Sequence, residues 1–153
     1  MSAMPRVYLA GKMAPDWRRQ LVEGWAQLPL GQTAPMRDGW TYGGPWVVPP
    51  PRHHGDALRQ WREGLERADA VFVWVTDLRA FNTLVEVGAA LAWGLPVGVY
   101  GPATDLQTAL PEWWLVQALC PDVAPMPSVL EAWERFRAWA GQRWGWPGVR
   151  KEA

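Results

Sequence analysis

The run Asp69-Ala-Val-Phe-Val-Trp-Val-Thr76 constrains the fold more than any other part of the chain. It is nearly all apolar, rich in β-branched residues, and shows no alternation between apolar and polar positions. A strand with one wet face alternates, whereas a strand covered on both faces does not. Strands of the second kind belong to parallel sheets flanked by helices. The neighbouring segments agree. Arg6-Val-Tyr-Leu-Ala10 reads as a buried first strand ending in Gly11, and Pro96 to Tyr100 as another, closed by Gly101-Pro102. Helical patterns separate them. One runs from a cap at Asp16 to about Gln27, with Trp17, Leu21, Trp25 and Leu28 on one side and Gly31 ending it. A second runs from a cap at Asp56 to about Arg67, with Leu58, Trp61 and Leu65 apolar and Arg59, Arg62, Glu63 and Glu66 facing water. A third runs from Asn82 or Thr83 to Trp93, with Gly94 at the position after the helix and Pro96 beyond. Alternating strands and helices with short links imply right-handed crossovers, hence an α/β fold with a parallel sheet.

Two regions read less simply. Gln32 to Gly55 holds Gly39, Gly43, Gly44, Pro45, Pro49, Pro50 and Pro51 with Trp40, Tyr42 and Trp46 interleaved. A long Gly/Pro segment with aromatics either covers a site or is a surface excursion, and one short strand fits around Trp46 to Val48. After Pro102, Glu112 to Leu119 reads as helical. Ser128-Val-Leu-Glu131 is a capping box opening a last helix through about Trp144, whose Trp133, Phe136 and Trp139 recur at helical spacing and pack on the sheet. No internal repeat or second domain is visible, and 153 residues suit a single domain, 1–153.

Composition excludes several function classes. Fifteen basic and fifteen acidic residues cancel, and no polybasic stripe occurs, so neither nucleic acid nor an anionic membrane is favoured as a partner. A small anionic ligand needs only a local patch. No run approaches the roughly 20 apolar residues of a membrane span. Met1 to Pro5 lacks the regions of a signal peptide, and the single cysteine, Cys120, excludes an internal disulfide and suits a buried apolar position. These features point to the cytoplasm. One small core cannot bury all thirteen Trp, so some reach the surface or an interface between copies. Trp113-Trp114 reads as packing, with an interface as the alternative.

The third helix carries one ionisable residue. In Thr83-Leu-Val-Glu-Val-Gly-Ala-Ala-Leu-Ala-Trp93 everything except Glu86 is apolar or small, as in a helix buried on all sides. A carboxylate there is costly unless it is paired, hydrogen-bonded or at an opening. The opening is at hand: in open parallel sheets the ligand crevice lies at the carboxyl ends of the strands, where Gly11 and Glu86 both fall and Tyr8 is within approach. The alternative is structural. Thr83-x-x-Glu86 is itself a capping box, and a first-turn carboxylate suits the helix dipole. Both readings stand at this level.

Three segments, taken together, carry a resemblance. Val7-Tyr-Leu-Ala-Gly11, Ala68-Asp-Ala-Val-Phe-Val-Trp-Val75 and Asn82-Thr-Leu-Val-Glu-Val-Gly-Ala-Ala-Leu-Ala-Trp-Gly-Leu-Pro-Val97 resemble the nucleoside 2-deoxyribosyltransferase family. Tyr42-Gly-Gly-Pro-Trp46 and His53-His54-Gly55 resemble its deoxyribosyltransferase-like branch, and the match covers most of Arg6 to Pro102. The resemblance implies a flavodoxin-like three-layer sandwich, with about five parallel strands and helices on both faces, often as a homo-oligomer. It implies cleavage of an N-glycosidic bond in a nucleoside or nucleotide, with no cofactor. A Glu carboxylate attacks the anomeric carbon, the base leaves, and a second base or water resolves the glycosyl-enzyme. On this resemblance Glu86 matches the nucleophile, Tyr8 the residue that holds it, and Thr83 the helix-opening Thr of the family's Asp-x-Gly-Thr-x-x-Glu pattern. Tyr42, Trp46 and His54 become loop contacts to base or sugar.

The pattern's Asp falls on Ala80 and its Gly on Asn82. In the family that Asp contacts substrate and is tied to base protonation, and Ala80 does neither. Asp77 substitutes only where the loop bends it inward. Asn82 either contacts a sugar hydroxyl or caps the helix. Hydrolysis, another nucleotide, NAD cleavage, or binding without turnover are the alternatives to base exchange. Gly11 and Lys12 are placed to line a phosphate or sugar site. His53-His54 lacks the Cys or carboxylate partners of a zinc set, so no metal is expected.

Overall fold

The computed structural model describes residues 4–13, 16–77 and 79–146. Residues 1–3, part of the stretch read above for a signal peptide, lie outside them. Six strands form one sheet: β1 (Arg6–Ala10), β2 (Ala34–Pro35), β3 (Thr41–Tyr42), β4 (Ala70–Trp74), β5 (Val97–Gly101) and β6 (Asp122–Pro125). Their order is β2-β3-β1-β4-β5-β6. All neighbours are parallel except the β2–β3 pair. Leaving out the antiparallel edge strand β2, the parallel strands follow the order 2-1-3-4-5, the flavodoxin-like arrangement. The sixth strand is the departure from the expected five. It lies inside the Gly/Pro segment, where two residues pair with β3.

Side-chain alternation sorts the core into two layers. Val7, Leu9, Ala70, Phe72, Trp74 and Tyr100 face one way, under α5 (Val129–Trp144). Tyr8, Ala10, Val71, Val73, Val97 and Val99 face the other way, against buried side chains of α1 (His54–Leu65), α2 (Phe81–Ala92) and α3 (Ala103–Ala109). A one-turn helix α4 (Trp114–Leu119) follows α3. The expected three-layer α/β sandwich is therefore present. No described helix is long and apolar enough to cross a membrane.

Four local expectations are corrected. The helix from Asp16 to Gln27 is replaced by two 3-10 turns, Arg18–Gln20 and Trp25–Gln27, separated by Gly24 at φ 71°. The reason is Arg18: its guanidinium turns inward to the end of β1, which a regular helix presenting Trp17, Leu21 and Trp25 would not permit. Asp16 caps nothing there, and instead accepts a hydrogen bond from the Trp25 indole at 2.6 Å. The strand expected at Trp46 to Val48 is absent; pairing falls on Thr41–Tyr42, and Val48 makes only an isolated bridge to Pro29. Helix α1 starts earlier than expected, capped by His53, whose Nδ1 accepts from the Asp56 backbone N–H at 3.3 Å, and it ends at Leu65 rather than Arg67. Helix α2 begins at Phe81, and it is not buried all round: Phe81, Val85 and Trp93 are 67%, 65% and 48% exposed. Helical periodicity reports that a residue is apolar, not what covers it. Helix α3 and strand β6 have no equivalent in the sequence reading, being short and weakly patterned. Of the Trp113-Trp114 pair, Trp113 is buried and Trp114 is exposed, and Cys120 is buried as expected.

The last helix is held as its sequence indicates. Ser128 Oγ accepts from the Glu131 backbone N–H at 3.2 Å, and Trp133 and Phe136 are fully buried. A polar tie completes the contact. The Tyr100 hydroxyl donates to Asp122 at 2.7 Å and accepts from the Trp139 indole at 2.6 Å, while Arg135 donates to both Asp122 oxygens at 2.8 Å. Burial pushes the Asp122 carboxyl up, but the Arg135 and Tyr100 hydrogen bonds outweigh it and hold it below its ordinary value. Asp122→Asn halves this arrangement and is expected to cost about 1–3 kcal/mol, the scale of hydrogen bonds to a charged group. Urea unfolding at neutral pH measures it.

Candidate active site

In this fold the chain reverses its direction of travel across the sheet between β1 and β4, and the crevice belongs at their carboxyl ends. A cleft of about 810 Å³ lies there. Its floor comes from the two strand ends and α2: Tyr8, Gly11, Lys12, Ala80, Asn82, Thr83 and Glu86. Its walls are Pro45, Trp46, Val47 and Pro51 from the Gly/Pro segment, and Leu58, Gln60 and Trp61 from α1. That segment therefore covers a site, and it is fastened to α1 by Gln60, whose side-chain amide donates to the Pro49 carbonyl at 2.6 Å.

Glu86 is the sixth residue of α2, in its second turn and not its first. Ala80 occupies the cap position, with no side-chain hydrogen bond, so the Thr83–Glu86 capping box does not form. Thr83, Val87 and Ala90 make up the buried side of the helix. Glu86 falls on the same stripe, three residues after Thr83, at the end that opens into the cleft. Its neighbour is Tyr8, 2% exposed, which lines the same cleft and whose phenol favours the ionised carboxyl. Burial raises the Glu86 carboxyl to about 7, against opposing hydrogen bonding from Tyr8 and attraction from Arg18. Burial and the neighbouring Glu86 push the Tyr8 phenol well above its ordinary value, so it acts as a donor and not as a base. Gly64 lets α1 pack on the Tyr8 ring, because a Cβ there would come within 2.8 Å of it.

The β1 end is built around a buried cation. Arg18 is 1% exposed and donates to the carbonyls of Leu9 (3.1 and 2.9 Å), Gly11 (2.8 Å) and Lys12 (3.0 Å). Its guanidinium lies 4.4 Å from the Trp17 ring centroid and 5.3 Å from that of Trp25. Gly11 adopts φ 145°, and a Cβ there would meet the Trp74 carbonyl at 2.6 Å, so only glycine fits where β1 turns into the cleft.

The structure brings Tyr8, Gly11, Trp46, Asn82, Thr83 and Glu86 to one cleft, out of the residues that the sequence singled out. Tyr42, His54 and Asp77 do not line it. Tyr42 is fully buried beneath the loop, its hydroxyl donating to the Pro45 carbonyl, so it supports the wall from behind. His54 is exposed as the first residue of α1. Asp77 is not bent inward: it accepts from the Arg79 backbone N–H at 2.7 Å and from Lys12 Nζ at 3.0 Å. These bonds, led by the Arg79 N–H, hold its carboxyl at about 2. Arg18, Trp61 and Arg79 also line the cleft and carry no sequence signal for it. Arg18 and Trp61 were hidden because each sits in a helical pattern that reads as ordinary packing. Among the described residues no group of three or more His, Cys, Asp or Glu is placed to hold a metal ion.

An acid of raised pKa beside a phenol donor, at the bottom of an aromatic-walled cleft, is an arrangement suited to nucleophilic attack on a bound carbon centre. Compared with protein-family models and with curated proteins, the chain finds no match in either.

Proposed function

We propose that this protein cleaves the N-glycosidic bond of a nucleoside or nucleotide, with Glu86 as nucleophile and Tyr8 as its orienting partner. The observation that carries the reading is the Glu86–Tyr8 pair facing open space instead of a helix terminus. Glu86 attacks the anomeric carbon, the base departs, and water resolves the glycosyl ester. Trp61 supplies a flat apolar wall for a base, and Asn82 and Thr83 supply polar groups at the level of the sugar. Incubation with ribo- and deoxynucleosides and their monophosphates, followed by chromatography for free base, tests the reading. Equal release by wild type and Glu86→Gln ends it.

Tyr8→Phe gives a finer test. Without the hydroxyl, Glu86 loses a hydrogen bond that favours its ionised form, and its pKa moves above 7. The acid limb of the pH–rate profile is expected to shift upward, and the rate at pH 7 to fall roughly ten-fold, the equivalent of one such bond. An unshifted limb removes Tyr8 from the mechanism.

Ala80 favours a second reading, a nucleotide-binding protein without turnover, because it leaves the loop before α2 without an acid at that position. Thermal-shift screening separates the two: a binder is stabilised by a nucleotide that it leaves intact. The same proposal makes the protein a cytoplasmic homo-oligomer. Outside the cleft, Trp93 just past α2 and Trp114, Leu115 and Leu119 of α4 are all 48% or more exposed. Exposed apolar side chains of this kind, on a chain of zero net charge, fit a second copy of the chain. Sedimentation of wild type and Trp114→Glu checks it.

A further inference from the structure

We infer that the preferred substrate is an N-glycoside whose base is already cationic, of the pyridinium nucleotide class, cleaved by attack of Glu86 without protonation of the leaving base. The inference rests on the function proposed above and names its substrate.

An ordinary nucleobase leaves as an anion unless an acid protonates it, and such an acid contributes about 10²–10⁴ in rate. The cleft is poor in acids. Among the described residues Glu86 is the only carboxyl group on the lining, and no His lies there. Asp77 is turned onto Lys12 and Arg79 and held at about 2, ionised throughout the neutral range. Ala80 has no proton to give. The Tyr8 phenol is buried beside Glu86, and its raised pKa makes it a weak acid. Lys12 Nζ is engaged by Asp77.

A pyridinium glycoside needs no acid. Glu86 Oε forms a bond to C1′, and the C1′–N bond breaks with both electrons passing to the ring nitrogen, which becomes neutral. Water then attacks C1′, the ester bond returns its electrons to the carboxylate, and the water proton passes to solvent. The net products are the free sugar phosphate, the neutral base and one proton. Two further features suit this class. Trp61, half-buried on the wall, offers a ring face, which attracts a cationic ring. Also on the lining, Lys12 and Arg79 share the single carboxylate of Asp77, leaving an excess positive charge for a phosphate. Arg18, the third cation on the lining, is spent on backbone carbonyls.

The test is a matched pair. N7-methylguanosine 5′-monophosphate and guanosine 5′-monophosphate, each in ribose and 2-deoxyribose form, share sugar, phosphate and purine and differ in the charge of the base. Nicotinamide mononucleotide is assayed beside them. Base release by wild type is expected to be roughly a hundred-fold or more faster, in kcat/KM, for the methylated member, matching the least that a general acid would supply. Nicotinamide mononucleotide is expected to be cleaved, and Glu86→Gln, verified as folded by its melting curve, to release base from none of them. A smaller ratio overturns the inference and leaves the N-glycosidase reading intact. No release from any of these compounds by wild type overturns both.

Discussion

Glu86→Gln is expected to abolish base release and, at pH 8, to make the fold more stable. The two effects share one cause. The carboxyl titrates near 4.5 when unfolded and at about 7 in the cleft, because burial disfavours its charge. The native state therefore binds more protons than the unfolded state between those pH values, and stability falls as pH rises through that window. The destabilisation is complete above about 7 and amounts to roughly 3 kcal/mol at most. Glutamine keeps the shape and removes the charge, so the variant should unfold at higher urea concentration than wild type at pH 8, with no difference at pH 4. Its activity should drop roughly a thousand-fold or more, as for the loss of a nucleophile. In wild type the rate should rise with pH through about 7, as Glu86 ionises. A purely structural Glu86 predicts the opposite: a variant less stable than wild type, with no change in turnover.

Arg18→Met carries the second large effect. The substitution preserves an apolar stem between Trp17 and Trp25 but takes the Arg18 donors from the carbonyls of Leu9 and Gly11, while the Lys12 carbonyl keeps the Trp17 indole at 3.0 Å. Buried acceptors left unpaired cost about 1–3 kcal/mol each, so for these two a loss on the order of 2–5 kcal/mol is expected in equilibrium unfolding. The consequence reaches the site. Arg18 is one of the charges that favour ionised Glu86, so its removal should also move the acid limb of the pH–rate profile above 7 in whatever folded fraction remains. A loss under about 1 kcal/mol, the range of ordinary surface changes, would mean that the Leu9 and Gly11 carbonyls find other donors.

The layered architecture was legible because its physics is local. Asp69 to Thr76 is apolar on both faces, and only a central parallel strand buries both. The capping box at Ser128 and the Gly11 and Gly101 strand ends also depend on neighbours in sequence. Glu86 was legible as an anomaly for the same reason, a charge in an otherwise apolar helix. What sequence could not decide was the choice between its two readings. That choice turned on where α2 begins: starting at Phe81, it moves Glu86 out of the first turn and toward Tyr8, seventy-eight positions away in the chain. Helix starts depend on what the preceding loop is bonded to, and here Asp77 is anchored by Lys12 from another strand end. The same limitation explains the missing first helix. Arg18 trades a regular helix for carbonyls at the end of β1, a gain available only once β1 lies against it. Periodicity, caps and turn residues are encoded in short windows of sequence. The walls and charges of a cleft belong to segments far apart in the chain, and their proximity exists only after folding.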